Sequence, residues 1–146
     1  MTDPRQLGAL LDVKRRDEGS AQSALADAAD RTARARAALA TALEELADRQ
    51  LARRTARAAE AEQRIATAEE RLAARRWDVR LGAGVSRALE RVRAAESALA
   101  GCERTESEAR AALADAYRGR EALERHLDRR EDADRREAER REERRS

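Results

Sequence analysis

The chain has 146 residues, of which 41% are hydrophobic, but 36 residues are alanine and there is no phenylalanine. Because alanine buries little apolar area, this composition does not fill the core of a globular α/β enzyme or of a β-sandwich. The charge is almost balanced, with 32 basic against 30 acidic residues, which disfavours a general nucleic-acid-binding protein. Abundant Ala, Glu, Leu and Arg are typical of long helices and coiled coils, so an all-α fold is predicted.

The first predicted helix covers residues 4–81. Asp3 and Pro4 suit an N-cap followed by a first helical position. Large residues then recur every seven positions, and a companion row three positions on is alanine. The first row is Leu11, Leu25, Leu39 and Leu46, interrupted by Glu18 and Thr32, and the companion row is Ala21, Ala28, Ala35 and Ala42. This heptad pattern predicts one narrow apolar stripe along the helix.

The phase of this pattern slips after Leu46. A new row is formed by Leu51, Ala58, Ile65, Leu72 and Val79. The slip coincides with a basic patch that contains no acidic residue, formed by Arg49, Arg53, Arg54 and Arg57. A second basic stretch follows at residues 75–93. Such stretches are most often solvated helix faces, and as docking sites they would suit an acidic groove of a partner.

Trp77 and Leu81 are candidates for a partner contact. Counted from Leu72 and Val79, Trp77 falls on the face opposite the apolar stripe, and Leu81 is also off the stripe. Two interpretations stay open: an outward-facing partner contact, or a small cluster of Trp77, Leu81 and Val85 that covers the tip of a hairpin.

That tip is predicted at residues 82–84, because Gly82 can end a helix in the left-handed conformation and Ser86 can restart one. The second predicted helix covers residues 85–141. One of its rows is Val85, Val92, Leu99, Glu106, Leu113, Arg120 and Leu127, and the other is Ala88, Ala95, Cys102, Ala109, Ala116 and Leu123. The charged tail, residues 128–146, opposes eight arginines to eight acidic residues and is expected to fray.

Two apolar stripes joined by a short connection predict a long two-helix antiparallel coiled-coil hairpin. We expect residues 1–146 to form this single hairpin, with Leu127 near Leu39.

Little in the sequence predicts chemistry. Cys102 and His126 are the only cysteine and histidine, so one chain offers no Cys/His metal site. No phosphate-binding loop follows Gly84, and neither catalytic residues nor a cofactor are expected. A lone cysteine fits a reducing compartment, and no segment reaches the ~20 apolar residues of a membrane span. We therefore expect a cytoplasmic protein.

Two stretches near the ends carry a family resemblance. Residues 10–16 read Leu-Leu-Asp-Val-Lys-Arg-Arg and are followed by Ala21, and residues 128–134 read Asp-Arg-Arg-Glu-Asp-Ala-Asp. Together with the length and the single antiparallel hairpin, they make the chain similar to the YscO family of type III secretion and to its flagellar relative FliJ.

The resemblance implies a non-catalytic central stalk. In that family, the paired helical ends enter a hexameric secretion ATPase, and the opposite end points to the export gate, a membrane protein. Carried over, Val13, Lys14 and Arg16 would contact the ATPase, and Trp77, with Leu81, would contact the gate. Secretion chaperones are further partners of the family, and the expected location is the cytoplasmic base of the apparatus.

Two other classes stay open. One is a homo-oligomeric coiled-coil scaffold, in which the apolar stripe buries against a second copy. The other is a helical nucleic-acid-binding protein that uses the basic stretches.

Overall fold

In a computed structural model that describes residues 3–63 and 67–146, every regular element is an α-helix. Helix α1 covers Pro4–Glu62 and helix α2 covers Ala68–Arg145. The two helices pack against each other antiparallel, which confirms the predicted all-α hairpin.

Local hydrogen bonds explain where each helix begins. Asp3 Oδ1 accepts a hydrogen bond from the backbone N–H of Arg5 at 3.2 Å, which confirms the predicted cap of α1. Thr67 and Glu70 form a reciprocal pair before α2: the Glu70 N–H donates to Thr67 Oγ1 at 3.2 Å, and the Thr67 N–H donates to Glu70 Oε2 at 3.4 Å. This capping box satisfies two backbone donors that the first helical turn leaves free.

The predicted helix bounds are therefore wrong in the middle of the chain. Residues 82–84, expected to form the tip, lie inside α2, and no described glycine has a positive φ. Two helical glycines cost roughly 1 kcal/mol each relative to alanine, yet α2 continues through both of them. Of the row in the slipped phase, Ile65 lies outside the described residues.

The chain forms two compact units, each made from both helices. The terminal unit comprises Met1–Ala29 and Thr105–Ser146, and the central unit comprises Asp30–Arg104. In both units the helices meet along a seam, the heptad rows that face the other helix. The two rows predicted for the second helix, and those predicted for the first as far as Leu46, are all buried or half-buried. Leu7, Ala28, Thr32, Ala42, Ala88 and Val92 are its most buried members.

The predicted slip of phase in the first helix is wrong. Leu51, Leu72 and Val79 are 57%, 50% and 70% exposed, and Ala58 is exposed as well. The seam keeps its earlier phase, in which Arg53 follows Leu46 by seven residues and Asp78 precedes Val85 by seven. An ion pair occupies the seam there instead of apolar side chains.

The predicted register is also wrong. In the central unit Arg36 meets Glu103, so Leu39 faces residues near 100. In the terminal unit Arg15 meets Glu124, so Leu127 faces the first turns of α1. This register follows from the position of the break between the helices, after Glu62 rather than after Leu81.

The charged tail is helical as far as Arg145, although fraying was expected. All residues from 131 to 146 are exposed. Ion pairs one turn apart support this part of α2, including Arg135 with Asp132 and Arg141 with Glu137 at 2.5 Å.

Candidate interaction surfaces

The basic patch of α1 faces an acidic residue of α2. Arg53 donates from Nε and Nη2 to the two carboxylate oxygens of Asp78 at 3.1 and 3.2 Å. Arg57 does the same at 2.9 and 3.3 Å. The hydrogen bonds from Arg57 and then Arg53 hold the pKa of Asp78 well below its usual range, and Asp78 in turn raises the pKa of Arg57. One carboxylate thus partly offsets two of the four patch arginines.

Gly82 provides the space for this contact. A Cβ at Gly82 would lie 2.9 Å from Nη2 and 3.0 Å from Cζ of Arg53, closer than carbon and nitrogen atoms approach without repulsion. The missing side chain therefore lets the guanidinium of Arg53 lie against the backbone of α2 on its way to Asp78. Arg49 lies beside the buried Gly84 in a similar way, with Nη1 3.4 Å from a Cβ built there.

The second basic stretch is close to the first, because the helices fold back within the central unit. This stretch, residues 75–93, contains six arginines against Asp78 and Glu90, and Asp78 is turned toward α1. Arg75, Arg76 and Arg87 form no ion pair with any residue that the structure describes. The sequence alone places these two basic stretches apart, and the fold brings them together.

Trp77 is 52% exposed, and the guanidinium of Arg80 lies 5.6 Å from the centre of its ring. It precedes the seam residue Asp78, so it lies beside the seam and not opposite it. Leu81 is half-buried, seven residues before Ala88, and belongs to the seam. Trp77, Leu81 and Val85 occupy successive turns of one helix, so the cluster that would cover a hairpin tip is not formed.

Leu72 and Val79 are exposed apolar side chains on the side of α2 that faces away from α1. They are seven residues apart, and Arg75, Arg76 and Arg80 lie on the same side of the helix at the spacing of neighbouring turns. Arg75, Arg76, Val79 and Arg80 line a shallow depression. These five residues, Leu72, Arg75, Arg76, Val79 and Arg80, are called the basic face below.

The structure separates the three residues that were expected at the ATPase end. Val13 and Arg16 are exposed and lie one turn apart on α1. Lys14 is half-buried in the seam, with Nζ 3.8 Å from a Cβ built at Gly119. Val13 and Arg16 are therefore available to a partner, whereas Lys14 is engaged in packing the terminal unit.

Charged side chains link the helices close to these residues. Arg120 bridges Glu18 on α1 and Glu124 on its own helix, the latter at 2.8 Å, and Arg15 reaches Glu124 at 3.4 Å. Burial works to raise the pKa of Glu124, but hydrogen bonds from Arg120 and Arg15 overcome it, and the net shift is downward. The hydrogen bond to Glu18 raises the pKa of Arg120. The network lies on the seam and ties the two ends of the chain together.

A groove of about 750 Å³ runs beside this network in the terminal unit. Leu25, Leu113 and Tyr117 supply its apolar lining. The ring of Tyr117 is covered in part by Arg120, whose Cζ lies 5.0 Å from the ring centre.

Among residues 3–63 and 67–146, no three His, Cys, Asp or Glu side chains group as metal ligands would. Cys102 is half-buried on the seam and His126 is exposed. No helix within the described part of the chain has the length and apolar character that crossing a bilayer requires.

Two contacts were missed by sequence reasoning. The acid that meets the basic patch is 25 residues from Arg53, and the partner of Glu18 is 102 residues away. The sequence carried a signal for the second contact: Glu18 and Arg120 both occupy positions of the predicted heptad rows, where opposite charges on two helices can pair. Arg53 and Asp78 lie outside those rows.

Comparisons with known proteins identify no relative of this chain. No protein-family model matches the sequence, and comparisons with curated proteins and with solved structures give no match either.

Proposed function

We propose that the chain is a non-catalytic central stalk of a type III secretion export apparatus, which inserts its paired helical ends into a hexameric secretion ATPase and links that ATPase to the export gate. The observation that carries the proposal is the terminal unit. There the start of α1 and the last third of α2 pack together through Arg15, Glu18, Arg120 and Glu124, and α2 continues as an exposed charged helix to Arg145.

This arrangement offers the ATPase a surface that both helices share. Val13 and Arg16 are exposed on the α1 side, at the positions where the similarity to the YscO family implies ATPase contact. A stalk needs no reactive group of its own, because it acts through asymmetric contact with the subunits around it. In the central unit, Trp77 is the exposed aromatic residue that would meet the gate, and Leu81 lies one turn after it, half-buried on the seam.

Co-purification from the native cell tests the ATPase contact. The tagged chain should recover a hexameric secretion ATPase, and Val13→Asp with Arg16→Glu should abolish that recovery. Lys14 is unsuitable for this test, because its substitution would disturb the packing beside Gly119.

The matched control is Leu51→Asp with Arg54→Glu. These two residues are also exposed and three positions apart on α1, but they lie in the central unit. The control should retain the ATPase. Failure of the unaltered chain to recover any ATPase, or equal losses in both double variants, would refute the proposal, and a multiple of the 16.3 kDa chain mass in solution would favour the homo-oligomeric scaffold.

A further inference from the structure

The basic face of α2 combines exposed apolar side chains with arginines on one side of the helix. Leu72 and Val79 are large apolar side chains that are half or more exposed. Arg75, Arg76 and Arg80 surround Val79 in a shallow depression. Asp78, the acidic residue among these turns, is turned toward α1 and already held by Arg53 and Arg57. The exposed Glu69 lies one turn before Leu72 on this side of α2, so three arginines against one carboxylate leave the face basic.

We infer that the basic face binds the surface of an anionic phospholipid bilayer. Guanidinium groups pair with lipid phosphates, often with two hydrogen bonds. Arginine stems extend along the interface and keep their charged ends in the headgroup layer, so Leu72 and Val79 between them can enter the boundary of the acyl chains. The inference is independent of the proposed stalk function.

The exposed apolar side chains distinguish this partner from nucleic acid. A phosphate backbone would satisfy the arginines, but it would leave Leu72 and Val79 in water. A bilayer satisfies both. With only two apolar anchors, the binding is peripheral and reversible, and most of its strength is electrostatic, about fivefold in partitioning for each arginine near the surface.

Sedimentation with lipid vesicles tests the inference on the full chain. Vesicles with about a third phosphatidylglycerol should bind the protein at low ionic strength, and pure phosphatidylcholine vesicles should not. Arg75→Glu with Arg76→Glu should lower the partition coefficient at least ~20-fold, since two attractive charges are lost and two repulsive ones are gained. Neither arginine pairs with a described residue, so helicity by circular dichroism should be unchanged.

The matched control is Arg129→Glu with Arg136→Glu, two exposed arginines of the terminal unit. It changes the net charge by the same amount and should retain most of the binding. Leu72→Ser with Val79→Ser should lower the partition coefficient several-fold at every salt concentration. Raising the salt from ~0.1 M to ~0.5 M should weaken the binding of the unaltered chain strongly.

A second readout uses the single tryptophan of the chain. Moving it with Trp77→Phe and Val79→Trp places the fluorophore in the basic face. Its emission should then shift to shorter wavelength on anionic vesicles, and by more than the emission of Trp77 in the unaltered chain.

Three results would overturn the inference. One is no binding to anionic vesicles at low salt, and another is an equal loss in the control double variant. The third is tighter binding to a DNA or RNA oligonucleotide than to vesicles, with no effect of Leu72→Ser and Val79→Ser, which would assign the face to nucleic acid.

Discussion

Replacing Gly84 by alanine should stabilise the protein. Gly84 lies in the interior of α2, where glycine is roughly 0.8–1 kcal/mol less favourable than alanine. A Cβ at this position would lie 3.4 Å from Nη1 and 3.8 Å from Cδ of Arg49, which is ordinary contact with a flexible side chain. We therefore expect a gain of about 0.5–1 kcal/mol in the free energy of unfolding and a rise of roughly 1–4 °C in melting temperature.

Two other glycines calibrate this experiment. At Gly19 nothing lies within 4 Å of an added Cβ, so Gly19→Ala should gain the full difference in helix propensity. At Gly82 the Cβ would meet Arg53 Nη2 at 2.9 Å. Gly82→Ala should therefore gain less than Gly19→Ala or lose stability, because Arg53 must shift from Asp78.

Urea unfolding followed by far-ultraviolet circular dichroism measures all three variants under one set of conditions. If residues 82–84 formed a turn with Gly84 at positive φ, alanine at Gly84 would destabilise the protein while Gly19→Ala still stabilised it. That combination of signs would refute the uninterrupted α2.

Two further predictions concern the seam and its charges. Val92→Ala should lower the free energy of unfolding by about 1–2 kcal/mol because two buried methyl groups are lost. Leu51→Ser should change it by less than ~0.5 kcal/mol. Urea unfolding of both variants checks the phase of the seam, and a larger loss at Leu51 would contradict that phase. The lowered pKa of Asp78 means that its contribution to stability is complete above the unfolded-state pKa of about 3.9 and declines as the pH falls below that value. The unaltered chain should thus exceed Asp78→Asn in stability at neutral pH, and the difference should shrink in acid; a difference that is constant across a pH series would contradict the clamp by Arg57 and Arg53.

The heptad rows from Val85 onward were predictable from the sequence, because large residues and alanines repeat there without a break. The phase of the seam between Leu46 and Val85 was not. The row that begins at Leu51 and ends at Val79 is apolar, and apolar residues usually mark the buried side of a helix. Arg53 and Asp78 are buried in part only because each meets its opposite charge on the other helix, and a periodicity along one helix does not contain that pairing.

The break between the helices shows a second limit of the sequence. Judged by residue type alone, Gly82 and Gly84 are the stronger signal for a break between helices. Thr67 and Glu70 are a weaker but real signal for a helix start. The glycines serve the approach of Arg53 and Arg49 instead, a role that depends on side chains from another part of the chain. That Lys14 is half-buried while Val13 and Arg16 are exposed was predictable from the sequence, since Lys14 lies seven residues before Ala21 on the seam.

The charged pairs on the seam have a consequence for how the two helices choose their alignment. Rows made largely of alanine are almost interchangeable, so sliding α2 by one heptad would still place alanine against alanine. The same slide would bring Glu18 opposite Leu113 or Leu127 instead of Arg120, and would bring Arg53 opposite Arg71 or Val85 instead of Asp78. Each shifted alignment leaves a partly buried charge without its counterpart, and such an unmatched charge is costly. The polar layers thus make one alignment of an otherwise repetitive sequence preferred over its neighbours.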